Sequence, residues 1–304
     1  MSNTEKKTIK KYINVNTKFR PFVKGIQPKN TDFVLTLPVP IKNVLSMKLK
    51  SFNAPDSEYT FSVTEVNNSF QVISNGTPTT ISVIPGSYKN PQGIVPTSLL
   101  IEQVNLQLAP FNISLTYIAE LQRYAFTGEN ISNVELNFDI DNNYIYNTFG
   151  WKLGFRNSYY SKDQKYAYVY PRKKCFKETP LVSGLVTIGN RQYYFADSTV
   201  ALPNTSQYYM LFVDDYLNNV EDAFYEGCFP SNNNAKNILA QIATKYSLDN
   251  NTYYETDTDA SFQRVYSGPV TLNKLHIMLF DDNQQIVDLN NSDYNFLLEI
   301  VTYL

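Results

Sequence analysis

The stretch from Arg264 to Leu304, RVYSGPVTLNKLHIMLFDDNQQIVDLNNSDYNFLLEIVTYL, constrains the fold more than any other part of the chain. Leu275, Ile277 and Leu279 fall on one side of a pleat and His276, Met278 and Phe280 on the other, so this segment reads as a core strand covered on both faces. Asp281-Asp282-Asn283 favours a turn, because short polar side chains tolerate left-handed backbone and hydrogen-bond locally. Ile286 and Val287 then resume as the second arm of a hairpin. After Asn290-Asn291-Ser292-Asp293, the residues Tyr294, Phe296, Leu298 and Ile300 alternate against Asn295 and Glu299, which predicts a strand running to Leu304.

Equally patterned partners lie near the start. Phe33, Leu35 and Leu37 alternate up to Pro38 and Pro40, and Leu45, Met47 and Leu49 alternate before Ala54-Pro55, which predicts two strands with a proline-marked corner. The segments Asp32–Leu37 and Val44–Lys50 are therefore expected to pair with the closing strands in one sheet. Composition agrees with a β protein: 24 Tyr and 19 Phe stand against a single Trp, and Asn, Ser and Thr fill the gaps between apolar runs. A chain of 304 residues can bury a large core, as one elaborate β domain or two smaller ones. The expected division is a basic arm over 1–30 and a β domain over 31–304, with an insertion at about 159–204.

Between the two ends, short strands are expected at Tyr59–Val63, Phe70–Ser74 and Thr80–Ile84. The period then changes. Leu100, Ile101, Val104 and Leu108 lie at helical spacing between Pro96 and Pro110 and predict an amphipathic helix over Thr97–Leu108, taken as part of the main sandwich. Ile113–Ile118 and Arg123–Phe126 read as a hairpin, and Val134, Leu136, Phe138 and Ile140 as another strand. Trp151, bracketed by Gly150 and Gly154, reads as a buried anchor at a corner, since glycines let a large ring approach backbone. Tyr159–Asn204 is Tyr-rich and locally basic (Arg172, Lys173, Lys174), with a hairpin signal at Gly189-Asn190, and reads as an exposed insertion. A strand is expected at Tyr208–Val213. Ala235, Ile238, Leu239, Ile242 and Tyr246 share one helical face and predict a second amphipathic helix over Asn234–Tyr246, followed by a polar loop from Asn250 to Ala260.

The formal charge of −2 conceals a split, because residues 1–30 carry eight basic residues against Glu5 alone. That local charge of +7 leaves −9 for the remainder. The arm reads either as a solvated tail or as a segment that docks on an acidic neighbour, a nucleic acid or a membrane surface; its candidate contacts are Lys6, Lys7, Lys10, Lys11, Lys18 and Arg20. The opening MSNTEKKTIKK has no apolar stretch of a secretory signal, and no apolar run approaches the roughly 18 residues of a membrane span, so assembly in a cytosol-like compartment is expected. Cys175 and Cys228 form no CxxC pair and read as free buried thiols.

No catalytic set emerges. The sole histidine, His276, lies in the apolar closing strand and reads as a core or contact residue rather than a general base. No GxxxxGK[ST], GxGxxG or HExxH motif is present. Asp214-Asp215 and Asp281-Asp282 would reach one cation only inside a loop, because neighbours in a strand point to opposite faces. The residue reading is a non-enzyme without cofactor or metal.

Four segments, taken in order, resemble one family. They are Asn16-Thr17-Lys18-Phe19-Arg20 after the basic arm; Thr31-Asp32-Phe33 through Lys42-Asn43-Val44-Leu45-Ser46-Met47; Gly150-Trp151-Lys152-Leu153-Gly154-Phe155-Arg156; and Arg264-Val265-Tyr266-Ser267-Gly268-Pro269-Val270 running into Val287-Asp288-Leu289-Asn290-Asn291 and Asp293-Tyr294-Asn295-Phe296. Together they resemble capsid proteins of nucleocytoplasmic large DNA viruses and their virophages, in particular the jelly-roll penton or minor capsid proteins. Asn16 and Lys18 stand where the family pattern has Asp and Arg. The resemblance implies an antiparallel jelly-roll sandwich with insertions, assembled in the host cytoplasm and built into the virion capsid; with the periodicity above, the expected fold is mainly β with two amphipathic helices. It further implies a homopentamer at the vertex, contacts with the major capsid protein and other minor capsid proteins, and no specific nucleic acid. Trp151, Phe155, Tyr266 and Tyr294 are the candidate structural anchors. The rival readings are a minor capsid or cement protein between capsomers and, from another class, a jelly-roll carbohydrate-binding or host-attachment module.

Overall fold

A computed structural model describes residues 7–20, 28–55, 57–62, 67–88, 98–140, 147–162, 185–199, 206–217, 237–244, 252–256 and 263–304. In chain order its strands are β1 (Thr8–Asn16), β2 (Asp32–Pro55), β3 (Ser69–Ser74), β4 (Thr77–Ser82), β5 (Ile113–Ile118), β6 (Arg123–Gly128), β7 (Val134–Asn137) and β8 (Tyr159–Tyr160). They continue as β9 (Leu185–Ile188), β10 (Arg191–Phe195), β11 (Tyr208–Asp214), β12 (Ile238–Ala243), β13 (Thr252–Thr256), β14 (Arg264–Phe280) and β15 (Asn295–Tyr303). The helices are α1 (Ser98–Leu108) and the single turn α2 (Phe149–Lys152). The protein is mainly β, and every strand pairing is antiparallel.

The chain divides into two compact units, 1–58 with 206–304, and 59–205. The first unit is a seven-stranded sheet in the order β1-β15-β2-β14-β11-β12, with β13 added to β2. Its organising strand is β2. The first part of β2 pairs with β14, from Phe33 opposite Ile277 to Met47 opposite Arg264, and its second part pairs with β15, with Phe52 opposite Phe296. The opening and closing segments thus share one sheet, as their matching alternation predicted.

The proline corner is a register shift inside one continuous strand. Thr36 to Ile41, with Pro38 and Pro40 between, lies opposite only Lys274 to Leu272, and Val265 to Val270 lies opposite only Ser46 to Val44. Proline donates no ladder hydrogen bond, so the extra residues gather where Pro38, Pro40 and Pro269 stand. Val44, Met47, Phe52, Leu275, Ile277, Leu279, Leu298 and Ile300 form the core under this sheet, while Met210, Phe212, Ile238 and Phe280 cover the opposite face near β11 and β12. Both faces of β14 are apolar for that reason.

Two expectations for this unit are corrected. Within the stretch expected as a helix over Asn234–Tyr246, Ile238–Ala243 is instead strand β12, paired with β11 from Ile238 opposite Phe212 to Ala243 opposite Tyr208. Ile238, Leu239, Ala240 and Ile242 are all buried, so the run serves both faces of a covered strand, a pattern that helical spacing mimics over so few residues. The polar loop at Asn250–Ala260 contains β13, whose Tyr253 and Tyr254 lie opposite Ala54 and Asn53. Beyond the Asp281-Asp282-Asn283 turn, the hairpin is limited to a single bridge from Phe280 to Ile286.

The second unit holds two four-stranded sheets, β5-β6-β10-β9 and β4-β3-β7-β8. Helix α1 lies here, against β4 and β5, rather than in the seven-stranded sheet. Its Leu100, Val104 and Leu108 are fully buried in a core shared with Phe70, Phe126, Phe138, Phe149, Phe155 and Tyr160. The hairpin at Gly189-Asn190 forms as predicted. Its strand β10 continues onto β6 and buries Tyr194, so this part of Tyr159–Asn204 belongs to the core. Arg172, Lys173, Lys174, Cys175 and Cys228 lie outside the described residues. Among those described, no helix is long and apolar enough to cross a membrane.

Candidate assembly site at the arm latch

Within the basic arm, Thr8–Asn16 is an edge strand. All nine residues of β1 pair with β15, from Thr8 opposite Tyr303 to Asn16 opposite Asn295. Ile13 and Val15 turn to the core while Lys10 and Tyr12 turn to the other face, which gives the strand its two-residue period. On that second face Glu299 is buried. It receives Lys10 Nζ at 3.1 Å, Lys48 Nζ at 4.0 Å and the Tyr12 hydroxyl at 3.5 Å. A buried carboxylate needs such partners to offset its lost hydration.

Past β1 the chain turns through a short 3-10 segment, Thr17–Phe19, opened by Asn16, whose side chain accepts from Lys18 N at 3.0 Å. The amide oxygen of Asn16 caps the turn as a carboxylate oxygen would, so the Asn at this position has a local role. Thr17 is fully buried and its hydroxyl does two jobs: it accepts from Tyr294 N at 2.9 Å and donates to Asp293 Oδ1 at 3.0 Å. Thr17 N donates to Tyr294 O at 2.9 Å. Arg20 closes the latch. Its guanidinium reaches Asp293 Oδ1 at 2.8 Å, Thr17 O at 2.8 Å and Pro28 O at 2.7 Å. Asn30 Nδ2 donates to Ser292 O.

Beneath the latch Tyr294 stacks with Phe52 and Phe296, ring centroids 5.4 and 6.1 Å away. It is fully buried, and burial pushes its phenol well above the usual range, with the nearby Arg20 charge opposing. Segments that carry the family resemblance, at 16–20 and 293–296, therefore meet in one junction.

The candidate arm contacts separate into two groups. Lys10 and Arg20 are committed to Glu299 and Asp293. Lys7, Lys11 and Lys18 have exposed side chains, and Tyr12 and Phe19 beside them are 54% and 77% exposed; Lys6 lies outside the described residues.

Among the anchors, Phe155 is fully buried, within 5.2 Å of both the Phe138 and Tyr160 ring centroids. Trp151, expected buried, is half-exposed and lies under the Arg156 guanidinium at 4.1 Å. Gly150 rather than Trp151 makes the tight contact at this corner, because a Cβ there would stand 2.5 Å from the Phe138 ring. Tyr266 is buried and donates to Asp215 Oδ2 at 2.6 Å; Arg264 Nη1 reaches the same oxygen at 3.1 Å. Burial and the Asp215 charge together push the Tyr266 phenol up.

The carboxylates considered for a cation are spent on backbone and side chains. Asp214 and Asp215 accept from Tyr216 N and Leu217 N, while Asp281 accepts from Asn283 N and Gln285 N and Asp282 from Gln207 N. His276 Nε2 lies 2.8 Å from Asp32 Oδ1, with the imidazole edge-on to Phe212, so it is a paired, half-exposed contact residue.

Two constellations were not anticipated from the sequence: Asp215–Arg264–Tyr266, and the buried Glu58, which accepts from Ser206 Oγ at 2.6 Å and Tyr209 OH at 3.1 Å. A signal for the first exists, since Arg264 and Tyr266 are two apart on one strand and must share a face.

No protein-family model matches the chain, and no curated protein matches it. Among solved structures it is similar to the mavirus penton protein, 10% identical, with 97% of this chain and 99% of that one covered and a TM-score of 0.42. It is also similar to a chain in the cryo-EM structure of the Sputnik virophage, 13% identical, with 96% and 98% covered and a TM-score of 0.44.

Proposed function

We propose that the chain is a structural virion protein, a jelly-roll capsid subunit that forms the penton at icosahedral vertices. It acts as a homopentamer in which each subunit offers one surface to a different surface of its neighbour. Residues 1–30 serve as a basic arm that ties the vertex to the major capsid protein and other minor capsid proteins, and the subunit is assembled in the host cytoplasm and resides in the capsid. Its work is binding, not catalysis.

The observation that carries this reading is the arm latch. Segments that resemble capsid proteins at opposite ends of the chain meet to hold a basic strand at the sheet edge. There Lys7, Lys11, Lys18, Tyr12 and Phe19 are left exposed. An edge strand carries a row of backbone groups able to extend pairing into another chain, and its lysines restrict that pairing to a complementary, acidic partner.

Native mass spectrometry of the purified full chain tests it, together with subunit counting in purified particles. A ring of five, present at five copies per vertex, is the expected result. A monomer at every concentration that is absent from particles refutes the capsid role. A copy number far above five per vertex replaces the penton with a cement position between capsomers.

A further inference from the structure

The second unit carries a polar cleft of about 490 Å³, within the range of roughly 300–1,000 Å³ of small-ligand sites. It opens where four turns converge: the β3–β4 turn, the Pro110-Phe111 turn after α1, the segment entering β7, and Ser161-Lys162 after β8. Each wall is set by backbone geometry. Asn75 and Gly76 both have left-handed φ, of 51° and 75°, as a two-residue hairpin turn requires. Ile131–Asn133 is a 3-10 turn closed by Asn133 N donating to Asn130 O at 2.9 Å.

The chemistry of the lining is distinctive. The side-chain amides of Asn75, Asn130 and Asn133 face solvent with no hydrogen-bond partner among the described residues. Phe111, half-buried, and Pro110 add an apolar surface. Glu135 accepts from the Tyr159 hydroxyl and Lys162 is exposed, so the lining carries one charge of each sign. Most small-ligand pockets are lined chiefly by apolar groups; this one offers amides that each donate and accept.

We propose that this cleft binds a glycan. Hydroxyl-dense sugars present donors and acceptors at every carbon. Three free amides on rigid turns match that alternation, while Phe111 and Pro110 receive the C–H face of a ring. This site is separate from the arm latch and does not depend on the vertex role.

The experiment displays the full chain multivalently on an array of neutral and sialylated oligosaccharides, then titrates the strongest ligand by calorimetry. Asn130→Ala and Asn133→Ala should each weaken binding about two- to tenfold, the range expected for a net hydrogen bond. Asn133→Trp should fill the cleft and abolish binding, whereas Lys18→Ala, in the other unit, should change nothing. Asn130 and Asn133 are exposed, and unchanged melting curves establish that the variants fold. No binding anywhere on the array overturns the proposal, and so does binding that all three cleft variants leave intact.

Discussion

Replacing the Thr17 hydroxyl by a methyl, Thr17→Val, isolates the arm latch with almost no change of shape. Thr17 is fully buried, and the substitution removes an acceptor 2.9 Å from Tyr294 N and a donor 3.0 Å from Asp293 Oδ1. The first loss dominates. It leaves a buried N–H unsatisfied beside a valine methyl, at about 1–3 kcal/mol. The second is smaller, about 0.5–1 kcal/mol, because Asp293 is 37% exposed and keeps Arg20. Together the change costs about 1.5–4 kcal/mol, and it falls on the attachment of β1. Hydrogen exchange is the direct assay. If the arm opens as a local unit, a 3 kcal/mol loss speeds exchange of the β1 amides roughly 150-fold, at tenfold per 1.4 kcal/mol, while β5 and β6 in the other unit exchange as before. Thr17→Ser, which keeps the hydroxyl, should remain near wild type. Unchanged β1 protection in Thr17→Val, or an equal acceleration across both units, would refute the assignment of the latch to this hydroxyl.

Gly150→Ala places a methyl 2.5 Å from the Phe138 ring, which is itself hemmed by Phe70, Phe126, Phe155 and Tyr160; overpacking should cost about 1–3 kcal/mol, read as a lower melting temperature, and an unchanged one would show that the ring can yield. Tyr266→Phe removes one of three partners of the fully buried Asp215 carboxylate, the others being Arg264 and Leu217 N, and should cost about 1.5–3 kcal/mol. Arg264→Met, which strands that charge, should cost more, about 3–5 kcal/mol; urea titrations giving the reverse order would contradict the pairing described. Stability should also fall at high pH. Tyr88, Tyr124, Tyr160, Tyr266 and Tyr294 all have phenol pKa values raised chiefly by burial. The folded state then holds protons that the unfolded chain gives up above about pH 10. Their stabilising effect is complete below that pH and lost as pH rises toward the folded values, at up to about 1.4 kcal/mol per pH unit per tyrosine. Tyrosinate absorbance should appear together with unfolding; ionisation of all tyrosines near pH 10 with circular dichroism unchanged would sink this account.

The legible parts of the fold are those where a side chain's neighbours in sequence decide its environment. Phe33 and Leu37 in β2, Leu275, Ile277 and Leu279 in β14, and Phe296, Leu298 and Ile300 in β15 alternate because one face of each strand is core. The pairing of these strands followed from the need to cover matching faces. The misread parts are those decided by distant partners. Ile238-Leu239-Ala240 is apolar on both faces because β12 is covered on both, and the only cue, a short run with helical spacing, pointed the other way. In the arm, Ile9, Ile13 and Val15 alternate with Lys10, Tyr12 and Asn14, yet Lys11 interrupts the apolar face, so the signal was too thin to decide between a tail and a strand. What fixes β1 is Glu299, nearly three hundred residues away, whose burial demands Lys10. Polar constellations were hardest to foresee. Arg264 and Tyr266 show by their spacing that they share a face, but nothing local announces that Asp215, some fifty residues earlier, will be buried against them.

The residues behind the family resemblance turn out to be structural, and this bears on where assembly specificity resides. Thr17, Arg20 and Asp293 spend their hydrogen-bonding capacity on one another, and Gly150 and Phe155 are consumed by packing in the second unit. None of these side chains can also grip a partner without breaking the element it holds. Under the proposed capsid role, recognition falls to positions that the shared motifs leave out or that they expose: Lys7, Lys11 and Tyr12 along the strand edge, Lys18 and Phe19 at the turn that follows. On that proposal the latch fixes where the edge is presented, and the exposed side chains select its partner. Substitutions in the first group should accordingly loosen the arm and weaken every partner together, whereas charge reversals at Lys7, Lys11 or Lys18 should leave β1 protection intact and alter only the choice of neighbour.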